Sequence, residues 1–384
     1  MTHRVLFTNN TLASRAGSEL YVRDVAIALR RRGHTPVAYS TNLGDVAGDL
    51  RRATVSVVDR LDRVGAVPDV IHGHHHLETM TALAWFPGVP AIYVCHGWLP
   101  AVERPPIHPR IARYVAVDDV VRERLVLENG IAESKVVTLL NFVDPERFQP
   151  QRALPARPRR ALVFSNEARD DAHPASIREA CARAGIEVDV IGVASGNPIA
   201  EPERVLGDYD IVFAKARAAM EAMACGAAVI LAGAAGAGTM VTTRNFDELR
   251  RMNFGVRSIQ APLGADRFAA EIARYDAGDA AAVSARMRSQ GDIRDVVSEY
   301  EKLYDAVVAE RQPIDPIDDE RAVARYLESW SPAFKAAASI VDRETDLLAH
   351  IADLEASPLF RLRKRVRSIP ALARLYRLMT QRGY

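Results

Sequence analysis

Between Asp210 and Leu231 the chain reads DIVFAKARAAMEAMACGAAVIL, and its charged side chains after Asp210 are Lys215, Arg217 and Glu221. Two cations at the mouth of a helix suit an anion such as a diphosphate, because the helix N-terminus adds free N–H groups to their charge. A carboxylate one turn further on, at Glu221, can accept a pair of hydroxyls. Arg217 and Glu221 stand four residues apart, so an intrahelical ion pair is the plain alternative. A second candidate is Ala16-Gly17-Ser18-Glu19, where glycine lets a ligand approach the backbone; a simple turn capped by Ser18 fits the same residues. His74 and His96 end apolar runs, as does Asn141. The cluster His72, His74, His75, His76 does not spell a metal site, since successive residues of a strand point to opposite faces and no cysteine or carboxylate joins at ligand spacing. Asp208 and Asp210 open a strand at the end away from ligands, so no metal is expected there either.

The elements that must position these residues follow from periodicity. Asp210 to Ala214 and Ala227 to Leu231 are short apolar runs of strands buried on both faces. Ala216 to Cys225 between them is rich in strong helix formers, with Gly226 as the stop. From the N-terminus, Arg4 to Thr8, a helix over Ser18 to Arg32 and Thr35 to Ser40 make a β-α-β unit. Strands over Asp69 to His74, Ala91 to Cys95, Tyr114 to Val117 and Lys135 to Leu140 continue it, with helices ending near Trp85 and covering Asp118 to Asn129. After Ala161 to Ser165 a second alternation runs through a helix at Ala175 to Ala184, a strand at Val188 to Ile191 and a short helix at Glu201 to Leu206. A Gly/Ala-rich loop is expected over Ala232 to Gly238, and helices over Ala265 to Tyr275, Ala280 to Gln290 and Asp292 to Glu310. Alternation with short links implies parallel sheets whose carboxyl edges carry the site.

A chain of 384 residues calls for at least two domains. The linker is QPQRALPARPRR, Gln149 to Arg160. This divides the chain into two Rossmann-like α/β domains, 1–150 and 151–312, facing across a cleft, with a helical extension at 313–384. A formal net charge of +1 excludes a general affinity for nucleic acid. Cys95, Cys181 and Cys225 lack disulfide or zinc spacing, which suits a reducing, cytoplasmic setting. MTHRVLFTNN has no signal-peptide pattern, and no apolar run reaches spanning length.

In the extension, helices are expected over Glu320 to Leu327 and Ala336 to Ala356. From Arg361 to Arg382 there are eight basic residues and no acid, interleaved with apolar residues at helical spacing. A basic amphipathic tail over Leu359 to Tyr384 suits an anionic membrane surface, and docking on the enzyme or on a protein partner is the alternative.

The loop AGSE, the strands DVIHGH and AIYVCHG, the run from YVAVDDVV to NFVDPERF, and MEAMACG together resemble the retaining GT-B glycosyltransferases that use nucleotide sugars, the group 1 or family 4 class, over roughly residues 4 to 310. That resemblance implies that Glu221 binds the donor ribose, that the catalytic His96 faces the donor sugar, and that Gly17 with Ser18 lies under the diphosphate or the acceptor. His74, Glu19 and Asn141 would line the acceptor side or the cleft. It implies no cofactor, a nucleoside diphosphate sugar as donor, and a glycan or glycolipid acceptor in bacterial surface polysaccharide synthesis; the basic tail adds the expectation of a peripheral place on the inner face of the membrane.

The sequence departs from the family at three places. The first glutamate of the usual pair is missing, with Phe213 at its spacing from Glu221. Ser165-Asn166-Glu167-Ala168-Arg169 replaces the usual Arg and Lys, and AGAAGAGTMVTTRNF replaces a glycine pair and Glu. Lys215 and Arg217 are therefore expected to take over the diphosphate, with Asn253, Phe254 and Arg257 building the donor side. A helix simply ending at Asn253-Phe254-Gly255 is the alternative. The departures leave open a non-catalytic nucleotide-sugar-binding or scaffold subunit, and an epimerase of the same fold.

Overall fold

The computed structural model describes residues 1–98, 101–168, 172–311 and 313–357. Met1–Glu320 forms one compact unit, and a second begins at Arg321. The first unit holds two sheets. The elements of the first are β1 (Arg4–Thr8), α1 (Gly17–Arg31), β2 (Thr35–Tyr39), α2 (Asp45–Arg52), β3 (Ser56–Val58), β4 (Val70–His74), α3 (His76–Trp85), β5 (Ala91–Cys95), β6 (Ile111–Ala116), α4 (Asp119–Glu123) and β7 (Val136–Thr138). Its strands lie in the order β3-β2-β1-β4-β5-β6-β7, all parallel. β4 and β5 are buried along their whole length, as expected of strands with helices on both faces.

The second sheet is built from β8 (Arg160–Phe164), α5 (Ala172–Arg183), β9 (Glu187–Ile191), β10 (Ile211–Ala214), α6 (Ala216–Ala224), β11 (Ala228–Gly233) and β12 (Gly236–Met240), in the order β12-β11-β10-β8-β9. Its strands alternate cleanly between two cores: Val212, Ala214, Val229 and Leu231 face one cluster, Ile211, Phe213, Ala228 and Ile230 the other. α7 (Phe246–Arg251), α8 (Ala265–Ile272) and α9 (Ala277–Gln290) follow. The chain then crosses back: Val143 N–H donates to the Gly291 carbonyl and Ile293 N–H to that of Val143, so the two crossings lie side by side. α10 (Ile293–Ala309) therefore ends against the first sheet, where Tyr304 Oη lies 2.6 Å from His72 Nδ1.

Several expectations need correction. The Gly/Ala stretch 232–238 is no loop, because β11 and β12 form an antiparallel pair there. Its glycines answer to crowding: a Cβ on Gly236 would stand 2.3 Å from the Ile259 carbonyl oxygen. α1 begins at Gly17 with Ala16 as an N-cap that makes no side-chain bond, and Ser18 Oγ donates to Glu19 instead of capping. α2 and β3 were not anticipated, the helix because its apolar stripe is only Val46, Ala47 and Leu50 in a polar segment. The helix expected over Glu201 to Leu206 is two 3-10 turns, Pro202–Arg204 and Leu206–Asp208. The two C-terminal helices are one, α11 (Pro316–Ala356), which carries Pro332 inside it. The tail Leu359 to Tyr384 and Arg169 lie outside the described residues. Among the described residues no helix is long and apolar enough to cross a membrane.

Candidate active site between two carboxyl edges

Strand order alone locates the crevices. In the first sheet the order reverses between β1 and β4, in the second between β8 and β10, and ligands of open α/β sheets sit outside the carboxyl ends of the strands at such points. A cavity of about 530 Å3 joins these places, lined by Gly17 and Leu20 on one side and by Ser165, Asn166, Gly192, Arg217 and Glu221 on the other. That volume is within the usual range for small-molecule sites. A cavity of about 550 Å3 runs along the flank of α1. It shares Arg23 and Arg147 with the first cavity but is not lined by the loops after β8 and β9. The cavity joining both sheets is the candidate site.

Arg217 is its electrostatic centre. Its Nε donates to Glu221 Oε1 at 2.8 Å, and its Nη2 to the Asp24 carboxylate of α1. Burial works against the guanidinium charge, but Asp24 and Glu221 outweigh it and hold its pKa above the ordinary value. The two carboxylates respond in opposite directions. Burial lifts Glu221 against the pull of Arg217, whereas Asp24, also lifted by burial, has Arg23 as a second cation and ends below its usual range. α6 delivers Arg217 and Glu221 on one face, and its first N–H, that of Ala216, donates to the Phe254 carbonyl.

The remaining expected residues are dispersed. Gly17 starts α1 at the cavity wall, and a Cβ there would meet nothing within 4 Å, so the uncapped helix end is open to a ligand. Glu19 is buried and accepts from Ser14 and Ser18. Lys215 reaches Glu167 at 2.7 Å, and Arg257 reaches Glu123 of α4 at 2.6 Å; neither lines the cavity. Asn253 and Phe254 both have positive φ at the end of α7, and Phe254 is wholly buried, which is the helix-terminating geometry. Asn141 gives its carbonyl to Arg250. Asp210 accepts from the backbone of Arg159 and Arg160 and from the Arg152 side chain, so it anchors the linker.

His96 directly follows β5, does not line the cavity, and belongs to a ring column. His74 Nδ1 is 2.6 Å from His96 Nε2, the rings of His72, His74 and His96 stack at 4.7 and 4.9 Å, and Tyr21 abuts His96 edge-on. The His96 backbone N–H donates to Glu103. Burial pushes His96 down to about 4, with His75 and Arg217 adding to the effect and Glu103 opposing it; His72 and His74 lie well below the usual value, again chiefly through burial. Among the described residues no group of His, Cys, Asp and Glu could hold a metal ion.

The histidine column sets a pH dependence. The folded chain keeps these rings neutral while the unfolded chain protonates them below about 6.5, so their stabilisation is full above that pH and is lost as pH falls towards 4. Glu78, Asp118 (raised to about 6) and Glu221, all lifted chiefly by burial, act in the opposite sense over part of that window. His72→Phe, which preserves the stack, is expected to flatten the fall in unfolding free energy, measured by urea titration, between pH 6.5 and 5 by about one proton's slope, or about 1.4 kcal/mol per pH unit. An unchanged slope would mean that His72 is protonated in the fold.

Asp24, Arg147, Asn166 and Gly192 were missed from the sequence. Asp24 had a signal: it stands seven residues after Gly17, two turns along the same helix, among Tyr21, Val22, Val25 and Ala26. Gly192 had none, because its role depends on a neighbour distant in sequence: a Cβ there would stand 1.9 Å from the Ser165 carbonyl oxygen.

Comparison with known proteins bears on the fold. The sequence profile of Glycosyltransferase Family 4 matches residues 15–147. Similar solved structures include a glycosyltransferase from Rickettsia africae ESF-5, with TM-score 0.58 and 15% identity over 80% of this chain and 99% of that one. Anabaena HepE, solved in complex with UDP-glucose, gives 0.57 and 15% over 79% and 100%. Sucrose-phosphate synthase from Thermosynechococcus elongatus gives 0.54 and 12% over 80% and 99%. The sequence matches no curated protein. The fold is that of the GT-B glycosyltransferases, two parallel-sheet α/β domains with a helical C-terminal region.

Proposed function

We propose that this chain is a glycosyltransferase that moves a sugar from a nucleoside diphosphate sugar to a glycan or lipid-linked acceptor, with retained anomeric configuration, in bacterial surface polysaccharide synthesis on the cytoplasmic side of the membrane. The observation that carries the proposal is the cavity joining the two carboxyl edges, with the open N-terminus of α1 on one wall and Arg217 and Glu221 on the other. The match to the Glycosyltransferase Family 4 profile supports a transferase, and the UDP-glucose bound by HepE supports the donor class.

In this reading Glu221 takes the ribose hydroxyls, since a carboxylate accepts two hydrogen bonds at once. The N–H groups of α1 and the Arg217 guanidinium face the diphosphate, whose charge grows as the glycosidic bond breaks. His96, kept neutral by burial, offers a ring nitrogen to the transferring sugar without adding a competing cation. Lys215 joins them only if it leaves Glu167.

One observation favours the non-catalytic alternative: Arg217 is held between Asp24 and Glu221, so the expected diphosphate cation and ribose acceptor already satisfy each other. A thermal-shift screen over nucleoside diphosphates and their sugars, followed by turnover, separates the readings. A donor at one hundred times its Kd should stabilise the fold by about 2.7 kcal/mol. No shift with any nucleotide would sink both readings; a shift without hydrolysis or transfer would leave the scaffold.

A further inference from the structure

We infer that Arg15 is a further donor-binding residue, whose guanidinium takes the phosphates of the nucleoside diphosphate beside the open N-terminus of α1. The inference rests on the proposed donor class and adds a cation from the first domain to it. Four arginines, Arg15, Arg23, Arg147 and Arg217, line the cavity that joins the two sheets, against two acids, Asp45 and Glu221. A wall with that excess of positive charge suits a polyanion. Three of the four arginines are committed to the protein itself. Arg217 is held by Asp24 and Glu221, Arg147 has Glu203 to itself at 2.8 Å, and the Arg23 side chain is 7% exposed between Asp24 and Asp49.

Arg15 differs in both charge balance and access. Its side chain is 25% exposed, and its carboxylate partner, Asp49 of α2, is shared with Arg23 and Arg52. Across this connected network Arg15, Arg23, Arg52 and Arg217 face Asp24, Asp49 and Glu221, so one cation is in excess. Asp49 also aims the side chain, with Arg15 Nη1 at 2.7 Å from Oδ2 and Nη2 at 3.0 Å from Oδ1. A guanidinium carries five N–H donors and Asp49 takes two, so the remainder can meet phosphate oxygens. The backbone under Arg15 is fixed as well. Asp45 N–H donates to the Ala13 carbonyl, and a Cβ on Gly44 would stand 2.8 Å from Ala13 Cα, so the connection before α2 presses on the loop that carries Arg15. Just beyond it, Leu20 N–H donates to the Ala16 carbonyl as the first helical bond of α1, and the N–H groups ahead of it face the same anion.

Calorimetry of the full chain tests the assignment, with inorganic pyrophosphate and with UDP, GDP, ADP, CDP and dTDP as probes. Arg15→Gln is expected to weaken pyrophosphate binding by about tenfold or more, the loss of one charge-assisted contact. The urea midpoint should stay at the wild-type value, because Asp49 keeps Arg23 and Arg52. Unchanged pyrophosphate affinity in R15Q overturns the inference. Should R15Q fail to fold, phenylglyoxal decides the matter in the wild-type chain: saturating pyrophosphate should protect Arg15, read by peptide mass spectrometry, and modification at an unaltered rate overturns the inference. Failure of the donor reading looks different. A chain that binds pyrophosphate through Arg15 but none of the nucleoside diphosphates keeps this inference and loses that reading. Nucleotide binding that leaves Arg15 unprotected does the reverse, and a chain that binds neither probe loses both.

Discussion

Glu221→Gln is expected to lower kcat/KM for a nucleoside diphosphate sugar by about 100-fold while leaving the unfolding midpoint nearly unchanged. Two hydrogen bonds from ribose hydroxyls to a carboxylate are each roughly twice as strong as bonds to a neutral amide, and the lost increment of about 3 kcal/mol corresponds to two powers of ten. Stability survives because the Gln carbonyl can still accept from Arg217, and because burial already disfavours the charge of Glu221. Donor titration by calorimetry beside steady-state kinetics checks the prediction. Wild-type affinity in the variant would remove Glu221 from the donor site.

Arg217→Ala has the larger effect, and it falls on stability as well as binding. The substitution leaves two carboxylates, those of Asp24 and Glu221, facing a hole in an enclosed site. Breaking a buried pair by removing one partner costs about 3–5 kcal/mol; Asp24 keeps its pair with Arg23, so most of the uncompensated charge is that of Glu221. The loss should shrink as pH falls and the carboxyls take up protons, so the wild-type and variant urea midpoints should converge towards pH 4. Adding Asp24→Asn and Glu221→Gln should restore most of the midpoint without restoring donor binding. If R217A unfolds like the wild type at pH 7.5, the triad does not bear on stability.

The fold was legible where burial is complete. β5, β10 and β11 are unbroken apolar runs, and the expected strands begin within a residue of the observed ones, β11 running two residues past its expected end. It was illegible where a segment is stabilised by what packs on it. β12 opens Gly-Ala-Gly before Thr239 and Met240, so no pattern announces a strand, and its glycines are required by the backbone of residues 258–261 pressing on it. The site shows the same division. Glu221, Arg217 and Gly17 stood out because charge or glycine is out of place in an apolar element, and all three line the cavity. Lys215 and Arg257 looked equivalent in sequence, yet each is paired with an acid elsewhere, Glu167 and Glu123, and no spacing rule reports a partner contributed by another part of the fold.

The placement of Arg217 has one consequence of a different kind. Its two carboxylate partners come from different domains, Asp24 from α1 and Glu221 from its own helix. A ligand that draws this guanidinium onto a phosphate must therefore loosen a stitch between the domains in the same movement that frees Glu221. For the proposed diphosphate donor, capture at Arg217 and the spacing of the two domains would be one variable, because the same guanidinium serves both.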